Sequence, residues 1–147
     1  MVKNQRHLSR KVAFQILYRY DLALHAEKTS PPTGAELESD LVRHFQHFEV
    51  PNEVQEFTQQ LITGTLNQIK ELDETIEKHA KNWRLDRMGF VDRTLLRMAS
   101  HELLNFDDTP HAVIINEAVE LAKQFGNAET ASFVNGILDS IVKTLKT

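Results

Sequence analysis

A chain of 147 residues, 41% hydrophobic and 26% charged, has the size and balance of one globular domain that can bury a core. It has no cysteine, which excludes disulfides, thiolate zinc sites and cysteine nucleophiles and agrees with a reducing cytoplasm. The formal net charge of −4 is unevenly spread: residues 1–20 carry Lys3, Arg6, Arg10, Lys11 and Arg19 and no acid, so all 21 acidic residues follow them.

The first helical pattern runs from about His7 to His25, with Val12, Ala13, Ile16, Leu17 and Tyr20 on a common side. Thr29-Ser30-Pro31-Pro32-Thr33-Gly34 breaks it, and Thr33 with Glu36 predicts a capping-box start for a helix over Ala35–His47. Pro51-Asn52 with Gln55 opens a third helix carrying Val54, Phe57, Leu61 and Leu66, and a fourth stretch presents Leu72, Ile76 and Ala80. Trp83-Arg84-Leu85-Asp86 reads as a connector between an N-terminal half, about 1–82, and a C-terminal half, about 86–147.

The next helix covers about Gly89–Asn105 with Val91, Leu95, Met98, Ala99 and Leu103 inward. Asp108-Thr109-Pro110 starts a helix over His111–Phe125, and Gly126 is expected to end it as a left-handed cap. The last helix covers about Glu129–Leu145; Gly136 inside it costs about 1 kcal/mol relative to alanine, which predicts close contact with a neighbouring helix. No stretch alternates with period two long enough for a strand. The expected fold is all-α: two small three-helix bundles packed as one domain.

Catalytic and metal motifs are absent. His101-Glu102-Leu103-Leu104-Asn105 lacks the second histidine of the zinc protease motif, so Glu102 reads as a structural pairing group, as does Arg97. His44 and His47 lie one turn apart without a third ligand, and no phosphate-cradling glycine loop or nucleophile elbow occurs. No enzyme, cofactor or metal is implied. No apolar run reaches membrane-span length, and an apolar leader is missing. A transit peptide is opposed by the single early serine, Ser9, and by apolar spacing that continues to Leu24.

The basic start remains. At about 100° per residue, His7, Lys11, Phe14 and Tyr18 share a stripe with Arg10 at its edge and Arg6 before it. Cations beside aromatic rings suit single-stranded RNA, since they neutralise phosphate while bases stack on rings. The plainer alternative makes Phe14 a core residue, and Tyr18 fits either setting.

Three blocks of sequence then resemble a known family. Arg10-Lys11-Val12-Ala13-Phe14-Gln15-Ile16-Leu17-Tyr18, Leu95–Leu103, and Ala112–Gly126 with Phe133-Val134-Asn135-Gly136-Ile137-Leu138-Asp139 are similar to the NusB family of transcription antitermination factors. The stretch from about Ala26 to Asn67 matches only in general pattern. The resemblance implies binding of the boxA element in nascent ribosomal RNA jointly with NusE, a small-subunit ribosomal protein, and recruitment to other Nus factors on RNA polymerase in the cytoplasm. It implies RNA contact at Arg6, His7, Arg10, Tyr18 and Phe133, to which the stripe adds Lys11, with Glu129 tuning affinity, and a NusE surface that includes Tyr18 and Asp92. His7, Leu8 and Ser9 dilute the arginine run usual in the family, and Ser132 stands where a basic residue can occur. Asn116 and Asn135 are expected to satisfy neighbouring groups within the fold.

Two alternatives remain at this point. One is a NusB-like accessory domain of a ribosomal RNA cytosine methyltransferase, although these residues hold no cofactor loop and no cysteine. The other is a helical interaction module without RNA, including a homodimer that covers its own basic face.

Overall fold

The computed structural model describes residues 2–27, 30–81 and 83–145, with side chains from residue 5 to residue 26 in the first stretch. Thr29 and the side chain of Lys3 lie outside the described residues. Helices α1 (Val2–Glu27), α2 (Gly34–His47), α3 (Asn52–Asn67), α4 (Ile69–His79), α5 (Phe90–Asn105), α6 (His111–Phe125) and α7 (Ala128–Leu145) follow in order, with a 3-10 turn at Leu85–Arg87. Among the described residues there is no strand, and no helix is long and apolar enough to cross a membrane.

The chain divides into two compact units after Asn67. In the first, α1 lies against α3, and α2 packs more sparingly on α3. Buried Ser9, Arg10, Val12, Ala13, Phe14, Ile16, Leu17 and Asp21 occupy an arc of roughly 200° on α1, at 100° per residue. That arc is much wider than a simple apolar stripe. Polar groups inside it find partners: Ser9 Oγ donates to the Val54 carbonyl at 3.1 Å, and Asp21 is not left without an interaction. Thr33 precedes α2 in extended backbone, but its side chain makes no capping bond, so the expected capping box does not form. Gly34 takes φ 57, which favours a residue without a Cβ. At the start of α3, Gln55 Nε2 reaches back to the Val50 carbonyl at 2.9 Å and to Asn52 Oδ1 at 3.3 Å.

The second unit is built from α4 to α7. Helix α5 is buried on several sides, from Thr94 and Leu95 to Glu102 and Leu103, because α4, α6 and α7 all pack against it. Arg97 donates to Asp73 through Nε at 2.7 Å and Nη2 at 3.0 Å, joining α5 to α4 as a fork. His79 Nδ1 meets Ser140 Oγ at 2.8 Å between α4 and α7. The division therefore falls one helix earlier than Trp83–Asp86: α4, with Leu72 and Ile76 buried, packs on α5 and α7 and belongs to the second unit, which has four helices among the described residues.

Both helix glycines differ from expectation. Gly126 has φ −120 and ψ −122, so it is no left-handed cap. Its constraint is space: a Cβ there would stand 2.8 Å from Thr130 Oγ1 and 2.9 Å from the Ala122 carbonyl oxygen. Gly136 meets nothing within 4 Å, so no neighbouring helix explains it. Asn116 and Asn135 are exposed, so neither lies inside the fold as expected.

Candidate nucleic-acid interface

The cationic start lies on the first unit. His7 is exposed, while Arg6, Lys11 and Tyr18 are half-buried. The Arg6 guanidinium lies 4.5 Å from the centroid of the Phe57 ring on α3, and that of Arg10 lies 5.5 Å from the same ring. The ring's negative face attracts both cations and holds them near the surface of α3. Arg10 is nevertheless only 3% exposed, which corrects its assignment as an outward contact. The wide buried arc of α1 includes its position, so its main effect is to tie α1 to α3. Phe57, one of the apolar residues of the third helix, is half-buried and serves as the platform for these side chains. A short spacing pattern does not reveal that, because the pairing crosses between helices.

Phe14 is buried, as the plainer alternative had it, and its ring lies 5.7 Å from that of Tyr18 at a tilt of 34°. On the same unit, the Tyr20 hydroxyl donates to Asp40, which also pairs with Arg43 and lies 3.5 Å from His44. Burial, the Asp40 bond and its charge hold the Tyr20 phenol far above its ordinary range. This cluster secures α2 to α1. Among the described residues no group of three histidine, cysteine or carboxylate side chains is placed to hold a metal.

In the second unit, an open groove of about 290 Å³ runs between the connector after α4 and the start of α7. It gathers Asp92, Glu129 and Phe133, all named from sequence, together with Trp83, Asn127 and Thr130. Trp83, read only as part of a connector, is 55% exposed and meets Phe133 edge-to-face, with ring centroids 6.0 Å apart at 73°. Asn127 Oδ1 accepts from the Thr130 backbone N–H at 2.9 Å and lies 3.2 Å from the Thr130 hydroxyl, closing the first turn of α7. Asp92 is half-buried and hydrogen-bonded to Thr130; burial outweighs that bond and raises its carboxyl above the usual value. Elsewhere in this unit, His101 Nδ1 lies 2.8 Å from Gln68 Oε1 and Glu102 is buried, which leaves the incomplete zinc motif inside the helical core.

Residues 7–143 match the family model described as NusB family. A transcription antitermination protein NusB from Exiguobacterium is 42% identical over 139 residues, covering 95% of this chain and 98% of that protein. A solved T. maritima NusB superposes with a TM-score of 0.80 at 31% identity, covering 94% of this chain and 90% of the other. A solved complex of antitermination factors NusB and NusE with double-stranded RNA contains a chain similar at 27% identity, with a TM-score of 0.80 and 96% and 98% covered.

Proposed function

The chain belongs to the NusB family, and from that premise we propose that it is a transcription antitermination factor that binds boxA RNA jointly with NusE. It works by assembly and makes or breaks no bond. The observation that carries this is the likeness, along nearly the whole chain, to a factor solved with both NusE and RNA. The local chemistry agrees with it: Arg6 is presented beside an aromatic platform, Lys11 and exposed His7 follow one helical face, and the rest of the chain carries the acids.

His7, Arg6, Lys11 and Tyr18 form the proposed RNA contact on α1, and Phe133 with Glu129 the contact on α7. Tyr18 and Asp92 are the proposed NusE positions. The RNA-bound pair then joins other Nus factors on RNA polymerase, which places its work in the cytoplasm. Fluorescence anisotropy of labelled boxA RNA, single-stranded and as a duplex, tests the reading with and without purified NusE. Binding that tightens on adding NusE is expected. RNA that stays free at every protein concentration, with NusE present, overturns it.

A further inference from the structure

We propose that Trp83 and Phe133 wall a slot for one unstacked nucleobase, a site that rests on the RNA-binding reading above. Trp83 is the chain's sole tryptophan and is 55% exposed, although large rings ordinarily gain most by burial. The backbone that carries it is nonetheless held in place. Trp83 N donates to the Ala80 carbonyl at 2.8 Å, Leu85 N to Glu77 Oε2 at 2.9 Å, and Arg87 N to the Arg84 carbonyl at 2.9 Å. A ring carried on a held backbone and resting against Phe133 loses less freedom when something stacks on it.

The edge-to-face arrangement with Phe133 leaves the faces of one ring uncovered by its partner. At about 290 Å³ the groove below the rings is at the small end of ligand sites, the scale of a single ring system. Its polar lining selects the occupant. Two carboxylates, Asp92 and Glu129, against one cation, Arg87, leave the lining net acidic, which disfavours phosphate inside while accepting hydrogen bonds from base amino or imino groups; Asn127, with its oxygen committed to α7, has an amide nitrogen left to donate. A neutral base edge satisfies both kinds of group, so the base enters and the phosphate stays outside.

The single tryptophan makes the slot directly observable. Adding single-stranded boxA RNA to the intact protein quenches Trp83 emission in a saturable way, with a midpoint matching that from anisotropy of labelled RNA. Inorganic polyphosphate and an abasic oligonucleotide of equal length leave the emission unchanged. Trp83→Ala weakens RNA binding roughly 5- to 150-fold by anisotropy, as loss of one base–aromatic stack does, and Trp83→Phe restores part of it. The thermal midpoint, followed by circular dichroism, stays near that of the parent because the side chain is exposed. Three results overturn the slot: RNA binding by anisotropy with neither quenching nor a Trp83→Ala defect, equal quenching by polyphosphate, or quenching by NusE alone with none from RNA. In the first and third the RNA-binding reading stands if anisotropy still reports binding; RNA that never binds removes both.

Discussion

Arg6 and Arg10 are one helical turn apart and lie over the same ring, yet their surroundings differ. Arg10 is inside the interface between α1 and α3, where its aliphatic stem and guanidinium fill space. Arg10→Ala is expected to lower unfolding free energy by about 1–3 kcal/mol, the range for loss of a buried, partnered side chain. Arg6→Ala, at a half-buried end of the helix, should stay within about 1 kcal/mol. Urea unfolding of the two variants decides this; equal losses would put both arginines in one environment. A basic cluster read from sequence shows which residues carry charge, but not which of them a second helix will cover.

Protonation also matters at this scale. Burial holds the His101 imidazole below its ordinary value of 6.5, so the fold retains the neutral form while the unfolded chain takes up a proton. His44 is shifted in the same direction, again chiefly by burial. The unfolded state thus binds more protons as pH falls through 6.5, and stability must fall with it until the folded histidines titrate. Asp73 and Asp92 have carboxyls raised by burial, which favours the fold on acidification, but their ordinary value of 3.8 places most of that effect lower on the pH scale. The urea midpoint should therefore decline between pH 7.5 and 5.5. His101→Gln should make the decline shallower; an unchanged slope would assign the loss to other groups.

At the level of the helix, the two glycines flanking and inside α7 respond oppositely to the same change. Gly126→Ala introduces a Cβ against the Ala122 carbonyl, a backbone atom that cannot rotate away, and against Thr130, which helps to close the first turn. A loss of about 1–3 kcal/mol is expected. Gly136→Ala meets nothing and removes the entropy cost of a glycine within a helix, so it should gain about 1 kcal/mol. Thr33→Ala, lacking a side-chain cap to lose, should change stability far less than the roughly 1 kcal/mol of a true N-cap. Thermal melts of the three variants rank as Gly136→Ala above Thr33→Ala above Gly126→Ala.

The helices themselves were legible from apolar spacing, and most ends fall within a few residues of those expected, because burial against neighbours imposes that spacing. Their caps were less so. Whether Thr33 turns its hydroxyl to a backbone N–H, or whether Gly126 is needed for handedness or for room, depends on coordinates around the turn rather than on residue type. Among the described residues nothing lies within 4 Å of a Cβ at Gly136 to explain it. Trp83 illustrates the same limit for the site. Its composition fits a connector, and only the fold brings it beside Phe133, fifty positions later in the chain.

At the scale of the whole molecule, a net charge of −4 sets a repulsive background for a polyanion, while the cations at the start of α1 supply the local attraction. These two contributions respond oppositely to salt. Added salt screens the background and so favours association, whereas released counterions make association weaker as salt rises. With Arg10 buried, Arg6, Lys11 and one further group leave about two or three phosphates neutralised, and single-stranded RNA then gives a slope of log affinity against log salt of about −1.4 to −2.1. The paired replacement Arg6→Ala with Lys11→Ala should bring that slope to between about −0.7 and zero. Lys143→Ala removes an exposed cation already paired with Asp139 at 3.3 Å on α7 and should leave it unchanged. Titrations from 50 to 300 mM salt separate the cases. A slope undiminished by the double replacement would move the electrostatic contact away from α1, and a positive slope in the parent would mean that background repulsion, not the cationic helix, governs the encounter.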